Sequence, residues 1–229
     1  MGGSSSINAM VYVRGNPKDF DQWSEAGNPG WSYSDVLPYF KKMESWQNGP
    51  DDYRGGDGPL NVSEVSEQLH PLCQNFLSAA QEIGIGLNKD MNGATQEGVG
   101  NYQITTHKGQ RMSSSRAYLW PIKGRTNLTI IKNAQATKIL TQDKKAFGIE
   151  YKKSGKIHQA IAKCEVILSA GSINSPHLLQ LSGIGPKNAL NKASIPLVHD
   201  SPGVGENLQD HVGVSYFYKS KVPTLNDQL

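Results

Sequence analysis

A mixed α/β fold is predicted by three features of the sequence. Val166-Ile167-Leu168 is apolar with no polar alternation, and the small residues Ser169-Ala170-Gly171 separate it from a helical run that ends near Leu181. Upstream, short β-rich runs alternate with turn residues at close spacing. Two further stretches, 34–43 and 69–83, carry apolar residues three and four positions apart, the period of a helix packed on one face. Of 229 residues, 37% are hydrophobic and 19% charged, a composition that folds and accommodates one large or two small domains. A net charge of +3 is too small to point to nucleic acid or an anionic membrane. No apolar run reaches the length of a transmembrane helix, and no basic-then-apolar leader follows Met1.

Taken in order, the chain opens on Gly2-Gly3-Ser4-Ser5-Ser6 and runs directly into the apolar stretch Ile7-Asn8-Ala9-Met10-Val11-Tyr12-Val13. Glycine reaches positive φ and small side chains admit a ligand close to the backbone, so this is a candidate phosphate or cofactor loop. A structural turn or a flexible linker is the other reading of the same residues. Asn16-Pro17 and Asn28-Pro29-Gly30 are turn signals. Residues 34–43 form a short helix with Val36, Leu37, Tyr39, Phe40 and Met43 as its stripe and Ser32 or Ser34 as its cap. Residues 47–59 are loop by composition. The helix at 69–83 uses Leu72, Phe76, Leu77, Ala80 and Ile83 and stops at Gly84 and Gly86. Glycines make 87–110 mostly loop, with a short strand at 102–106, and a short helix follows at 113–120 with Arg116 on its face.

From Leu128 the pattern turns β-rich. Runs at 128–131, 136–140, 146–151 and 157–162, separated by Lys132-Asn133, Asp143-Lys144-Lys145 and Ser154-Gly155, predict an antiparallel meander. The run at 164–169 predicts a strand buried on both faces, as in a parallel sheet. The helix after it is capped by Ser172 or Asn174 and stopped by Gly183. Strand, small-residue turn and helix together make half of a dinucleotide-binding unit, with the ligand at the strand's C-terminal end. Cys73 on a helix and Cys164 in the buried strand read as two free thiols. Asn61 and Asn127 head N-x-S/T sequons, which matter only in a secreted protein. There is no complete GxGxxG, no GK[ST] ending and no GxSxG. The six histidines show no metal-ligand spacing, and His211 after Asp210 reads as structural.

Three ordered blocks carry a family resemblance. GGSSSINAMVYVRGNPKDFDQW at the start, Gly171-Ser172-Ile173-Asn174-Ser175-Pro176-His177 with its continuation to Pro186, and Pro202-Gly203-Val204-Gly205-Glu206-Asn207-Leu208-Gln209-Asp210-His211 resemble the signatures of the glucose–methanol–choline (GMC) flavoprotein oxidoreductases. The style of the first block is similar to that of insect members related to glucose dehydrogenase. The resemblance implies a partial FAD/NAD(P)-binding, Rossmann-like domain with the meander beside it, a lid segment and the start of a substrate domain. The implied boundaries are 1–60 for the flavin-site loop and lid, 61–125 for an intervening segment, 126–200 for part of the FAD-binding domain, and 201–229 for the start of the substrate domain. The resemblance also implies FAD as cofactor. Gly3 and Ser4 would lie near its pyrophosphate and ribityl chain, and Asn8, Ala9, Met10 and Val11 beside the flavin ring. The backbone at Ala136 would lie against adenine, with Ala170 and Gly171 near the adenosine half. Ile7 stands where some members have a histidine bonded to flavin, so the cofactor is expected to be noncovalent.

The implied activity is oxidation of an alcohol or sugar by hydride transfer to flavin, with a quinone or oxygen as electron acceptor and an extracellular setting. An N-terminal GxGxxG unit and a C-terminal His–His or His–Asn pair, both features of the family, are not in this sequence. The resemblance therefore implies an internal segment with no catalytic base of its own and no activity when isolated. A non-catalytic short chain that binds partners is the rival reading. A hydrolase built on the serines is disfavoured, since no acid or base is spaced to activate them.

Overall fold

The structure is a computed structural model and describes residues 1–224. The chain forms two compact units, Met1–Leu128 with the stretch from Tyr218, and Thr129–Phe217.

The first unit begins with one 3₁₀ turn over Gly3–Ser6, followed by β1 (Val11–Tyr12). Next comes α1 (Pro17–Glu25), where the sequence shows only a turn signal at Asn16-Pro17. The same two residues start a helix. Asn16 Oδ1 accepts from the Lys18 N–H at 3.0 Å, and Pro17 occupies the first helical position, where its missing N–H has no bond to lose. The expected helix α2 (Tyr33–Met43) starts on a reciprocal capping box. Ser32 Oγ accepts from the Asp35 N–H at 3.3 Å, and Asp35 Oδ2 accepts from the Ser32 N–H at 3.1 Å. Phe20 joins the two helices, edge-on to Phe40 at 5.6 Å.

β2 (Glu44–Trp46) pairs in parallel with β3 (Leu60–Val62). α3 (Leu72–Glu82) buries Leu77 and Ala80, while Phe76 and Ile83 from its predicted stripe are exposed. The strand expected at 102–106 is split. β4 (Gln103–Ile104) pairs with β1, and β5 (Thr106–His107) pairs with β6 (Gln110–Arg111), both antiparallel. The short helix expected at 113–120 is a π-turn over Ser115–Leu119. Tyr12, Trp46 and Val62, flanked by Met43 and Leu60, form the apolar core.

In the second unit three of the four runs expected in the meander form it: β7 (Ala134–Gln142), β8 (Lys145–Lys153) and β9 (Lys156–Ile161), each antiparallel to the next. Both hairpins turn on residue pairs at positive φ, Asp143-Lys144 and Ser154-Gly155, the geometry that matches strand twist. Two β expectations fail. Residues 128–131 carry no strand, and neither does 164–169, where Cys164 is exposed and Ile167 is 76% exposed. An apolar run becomes a strand only when a neighbour takes its backbone groups. None of the described strands lies beside either run. Both thiols are free, as expected.

α4 (Gly171–Leu181) packs on β7. Its cap is Ala170, with no side-chain cap bond, in place of the expected Ser172 or Asn174. Gly183, at φ +82°, ends the helix as expected. β10 (Ile184–Gly185), α5 (Lys187–Lys192) and β11 (His199–Asp200) follow, with β10 parallel to β11. Among the described residues no helix is long and apolar enough to cross a membrane, and no group of three His, Cys, Asp or Glu could hold a metal ion.

Candidate cofactor site

The Gly/Ser loop is a built turn. Gly2 and Gly3 sit at φ +107° and +54°. A Cβ on Gly2 would lie 2.5 Å from Ser6 Oγ, whereas one on Gly3 would meet nothing within 4 Å, so the loop is packed on one side and open on the other. As first residues of a helical turn, Gly3 and Ser4 have N–H groups with no intrahelical acceptor, the feature that suits such turns to anions. Ile7 and Asn8 close the turn by donating to the Ser4 carbonyl at 3.0 and 2.9 Å.

A second serine segment, more than a hundred residues away in sequence, locks this turn. Ser5 Oγ donates to the Gly2 carbonyl and accepts from the Ser114 N–H at 2.9 Å, while Ser114 Oγ donates to the same carbonyl at 3.0 Å. From β6, Arg111 Nη1 donates to Asn8 O at 2.7 Å, Asn8 Oδ1 at 2.9 Å and Ser5 O at 3.3 Å. Met10 holds the left-handed conformation, φ 65°, that only a few per cent of non-glycine residues adopt. Asn8 Oδ1 accepts its N–H at 3.1 Å, and its carbonyl accepts from the Thr105 N–H at 2.8 Å.

A buried polar cluster surrounds the strand that follows the loop. Glu44 and Arg54 are both 0% exposed. Glu44 accepts from Arg14 Nη2 at 2.6 Å, from Arg54, and from the Gly55 N–H at 3.1 Å. Arg54 also donates to Asp90 at 2.7 Å and to Gln103 at 2.8 Å, and its guanidinium lies 4.2 Å from the Trp46 ring centroid. Asn92 completes β1 as a further strand would, with Oδ1 accepting from the Arg14 N–H at 2.8 Å and Nδ2 donating to Tyr12 O at 3.0 Å. Burial raises the Asp90 carboxyl, but hydrogen bonds from Arg54, the Asn92 backbone and Gln103 override it and leave its pKa below the ordinary value. Burial, then the charge of Glu44, pushes the Tyr12 phenol up.

In the second unit, Ala170 and Gly171 head α4, with Gly171 at φ +91° and the Ala170 N–H donating to Ser175 Oγ at 3.1 Å. Beside α4 is a groove of about 270 Å³ lined by Ser172, Pro176, His177 and Gln180 with Gly205 and Glu206, so two of the sequence blocks meet there. Gln180 Nε2 donates to Val204 O at 3.0 Å, and a Cβ on Gly205 would lie 2.7 Å from that nitrogen. Ala136 is exposed on β7 at a shift of register between Ala136 and Lys138.

The structure thus gathers Gly3, Ser4, Asn8, Ala9 and Met10 in one loop that runs into Val11 at the start of β1, all solvent-facing except the half-buried Met10. Ala136, Ala170 and Gly171 are exposed in the other unit. Sequence reading missed Arg111 and Ser114. The signal was Gln110-Arg111-Met112-Ser113-Ser114-Ser115, a second cluster of small polar residues beside a cation.

The pattern of the GMC oxidoreductase family matches residues 1–213. The chain is 51% identical over 231 residues to an oxygen-dependent choline dehydrogenase of Photobacterium profundum, covering all of this chain and 41% of that protein. It is 49% identical over 213 residues to the mitochondrial choline dehydrogenase of Homo sapiens, covering 93% of this chain and 36% of that protein. Among solved structures, pyridoxine 4-oxidase from Mesorbium loti matches with TM-score 0.86 and 31% identity over 91% of this chain and 41% of its own. An FAD-dependent oxidoreductase from Chaetomium thermophilum matches with TM-score 0.85 and 36% identity over 90% of this chain and 38% of its own. The chain spans about two fifths of the length of these relatives.

Proposed function

The chain belongs to the GMC oxidoreductase family, and from that premise we propose that it is the FAD-holding part of an enzyme that oxidises a small alcohol, with a choline-like amino alcohol as substrate. The observation that carries this reading is the locked turn 2–8, whose open side at Gly3 admits a ligand to the backbone. Gly3 and Ser4 would hold the pyrophosphate and ribityl chain. Asn8, Ala9, Met10 and Val11 would lie along the flavin ring, with Ala136, Ala170 and Gly171 at the adenosine half. When bound, the flavin supplies the hydride acceptor, and the protein binds and orients it. None of the residues assigned to the site is a general base, so the proton acceptor lies elsewhere in the enzyme.

Ile7 is 87% exposed and has no nucleophilic atom, which supports noncovalent attachment. The sequence blocks support domain limits of 1–60, 61–125, 126–200 and 201–229. Choline is preferred over a sugar because relatives about half identical to this chain carry that name. The test is to purify the full-length protein, add choline or a sugar without oxygen, and follow bleaching of the flavin. Choline-dependent bleaching, with flavin released into the supernatant on acid precipitation, is the expected result. Bleaching by sugar alone overturns the substrate, pelleted flavin overturns noncovalent attachment, and a protein free of FAD overturns the reading in favour of a non-catalytic chain.

A further inference from the structure

We propose that Arg111 is a positioning residue for the cofactor loop, a role that rests on the FAD reading above: it fixes turn 5–8 before FAD arrives and sets a permanent positive charge at the flavin end of the loop. One guanidinium nitrogen spans three oxygens of that turn, from Ser5 O at 3.3 Å to Asn8 O at 2.7 Å. The third, Asn8 Oδ1, also accepts the Met10 N–H at 3.1 Å. Arg111 therefore acts through Asn8 on the left-handed Met10, the residue that swings the chain from the turn into β1. A non-glycine residue held in the left-handed region persists only when its surroundings over-determine it.

The charge of Arg111 is directed at this turn. It makes no ion pair among the described residues, and the oxygens it bonds are carbonyls and an amide. Carbonyl and amide oxygens carry partial charges only, so the field of the guanidinium is not cancelled locally. A cation here favours negative charge on a nearby ligand, both the pyrophosphate and the added electrons of a reduced flavin. Arg116, five residues on, bonds Gln110 Oε1 and touches none of the loop oxygens, which makes it the matched control.

The test uses the full-length holoprotein and its FAD-stripped form with Arg111→Gln, Arg111→Lys, Arg116→Gln and Gly2→Val. Arg111→Gln should speed amide exchange at 3–8 in the stripped protein. It should also raise the FAD Kd about 10- to 100-fold, the worth of one or two charge-assisted bonds, and lower the flavin reduction potential. Arg111→Lys keeps the charge but cannot span three oxygens, so it should restore the potential while exchange at 3–8 stays fast. Arg116→Gln should change nothing. Tryptophan fluorescence melts separate these effects from misfolding. Should Arg111→Gln destroy the fold, the lysine variant alone decides, since a merely structural arginine predicts no split between potential and exchange.

Gly2→Val drives a side chain against Ser6 Oγ and the Ser113 and Ser115 Cβ atoms, so it collapses the loop whatever Arg111 does. If Gly2→Val weakens FAD binding while Arg111→Gln alters neither exchange nor Kd, the Arg111 proposal is overturned and the FAD reading stands. If neither variant moves the Kd, the FAD reading falls with it.

Discussion

The two small-residue turns, 2–8 and 169–174, look alike in sequence and are built differently. The first is wired to distant residues: Ser114 and Arg111 bond its backbone, and Thr105 bonds the Met10 carbonyl just after it. Behind it, Asn92 and the Arg14–Glu44–Arg54 ion cluster hold the strand it feeds. Beyond the bonds of its own helix, the second has a local side-chain bond, Ala170 N–H to Ser175 Oγ, and a segment before it that carries no strand. Small residues permit close approach of a ligand, but they do not set a loop's shape. Partners at long range do, and only the first turn has them among the described residues. The first turn is therefore held in one shape from several sides, while the second has no such long-range support among the described residues.

The strongest way to break this contrast is to remove the anchor of the wired side. Glu44→Ala leaves Arg14 without its carboxylate partner, and such loss of one member from a buried pair costs about 3–5 kcal/mol. All four tryptophans lie within 1–128, so urea titration followed by tryptophan fluorescence reads that unit. A loss below about 1 kcal/mol, the scale of an exposed ion pair, would mean that the cluster does not anchor the loop.

The next effect belongs to the far end of the helix that the other turn begins. Ser182 is 1% exposed, accepts from the Ile139 N–H at 2.8 Å and donates to Leu178 O at 2.6 Å, tying α4 to β7. Ser182→Ala orphans the Ile139 N–H and should cost about 1–3 kcal/mol. Faster amide exchange at Ile139, with tryptophan fluorescence unchanged, is the expected signature. Unchanged exchange would mean the meander holds without α4.

A pH scan sharpens the same contrast. Asp90 has a folded pKa below its unfolded value of about 3.9. Its contribution is full above the unfolded pKa and is lost as pH falls through the folded one, because the unfolded chain then binds the proton first. The tryptophan-monitored unit should weaken as pH falls below about 4. Asp90→Asn should flatten that part of the profile. An equal slope in the variant would assign the acid sensitivity to other carboxylates.

How much of this was legible depended on how local the cause was. Three strands of the meander, α2 with one of its two candidate caps (Ser32) and the Gly183 stop were legible, because hydrophobic period, cap chemistry and positive φ are written within a few residues. The start of α1 was misread because Asn-Pro serves a turn and a helix N-terminus equally well. The strand at 164–169 was misread because periodicity records what a segment could bury, not whether a partner strand is there. The loop was legible from its glycines and serines. Its clasp was not, since nothing near Gly2 in sequence announces Arg111 or Ser114.

The smallest effect tests the contrast most directly, by deleting one serine hydroxyl behind each turn. Ser114→Ala removes the 3.0 Å bond from Oγ to Gly2 O, a link across 112 residues, and leaves the Ser114 N–H to Ser5 Oγ bond intact. At an exposed position such a bond is worth about 0.5–1 kcal/mol, so exchange at 3–8 should quicken by about two- to fivefold. Ser175→Ala removes the 3.1 Å bond from the Ala170 N–H, which spans five residues. It should barely change exchange at 170–174, since Ala170 and Gly171 are already open to solvent. Both variants should retain wild-type urea midpoints, because neither hydroxyl touches the ion cluster or Ser182. Equal acceleration in the two segments would mean that long-range wiring gives the first turn no more rigidity than a local bond gives the second.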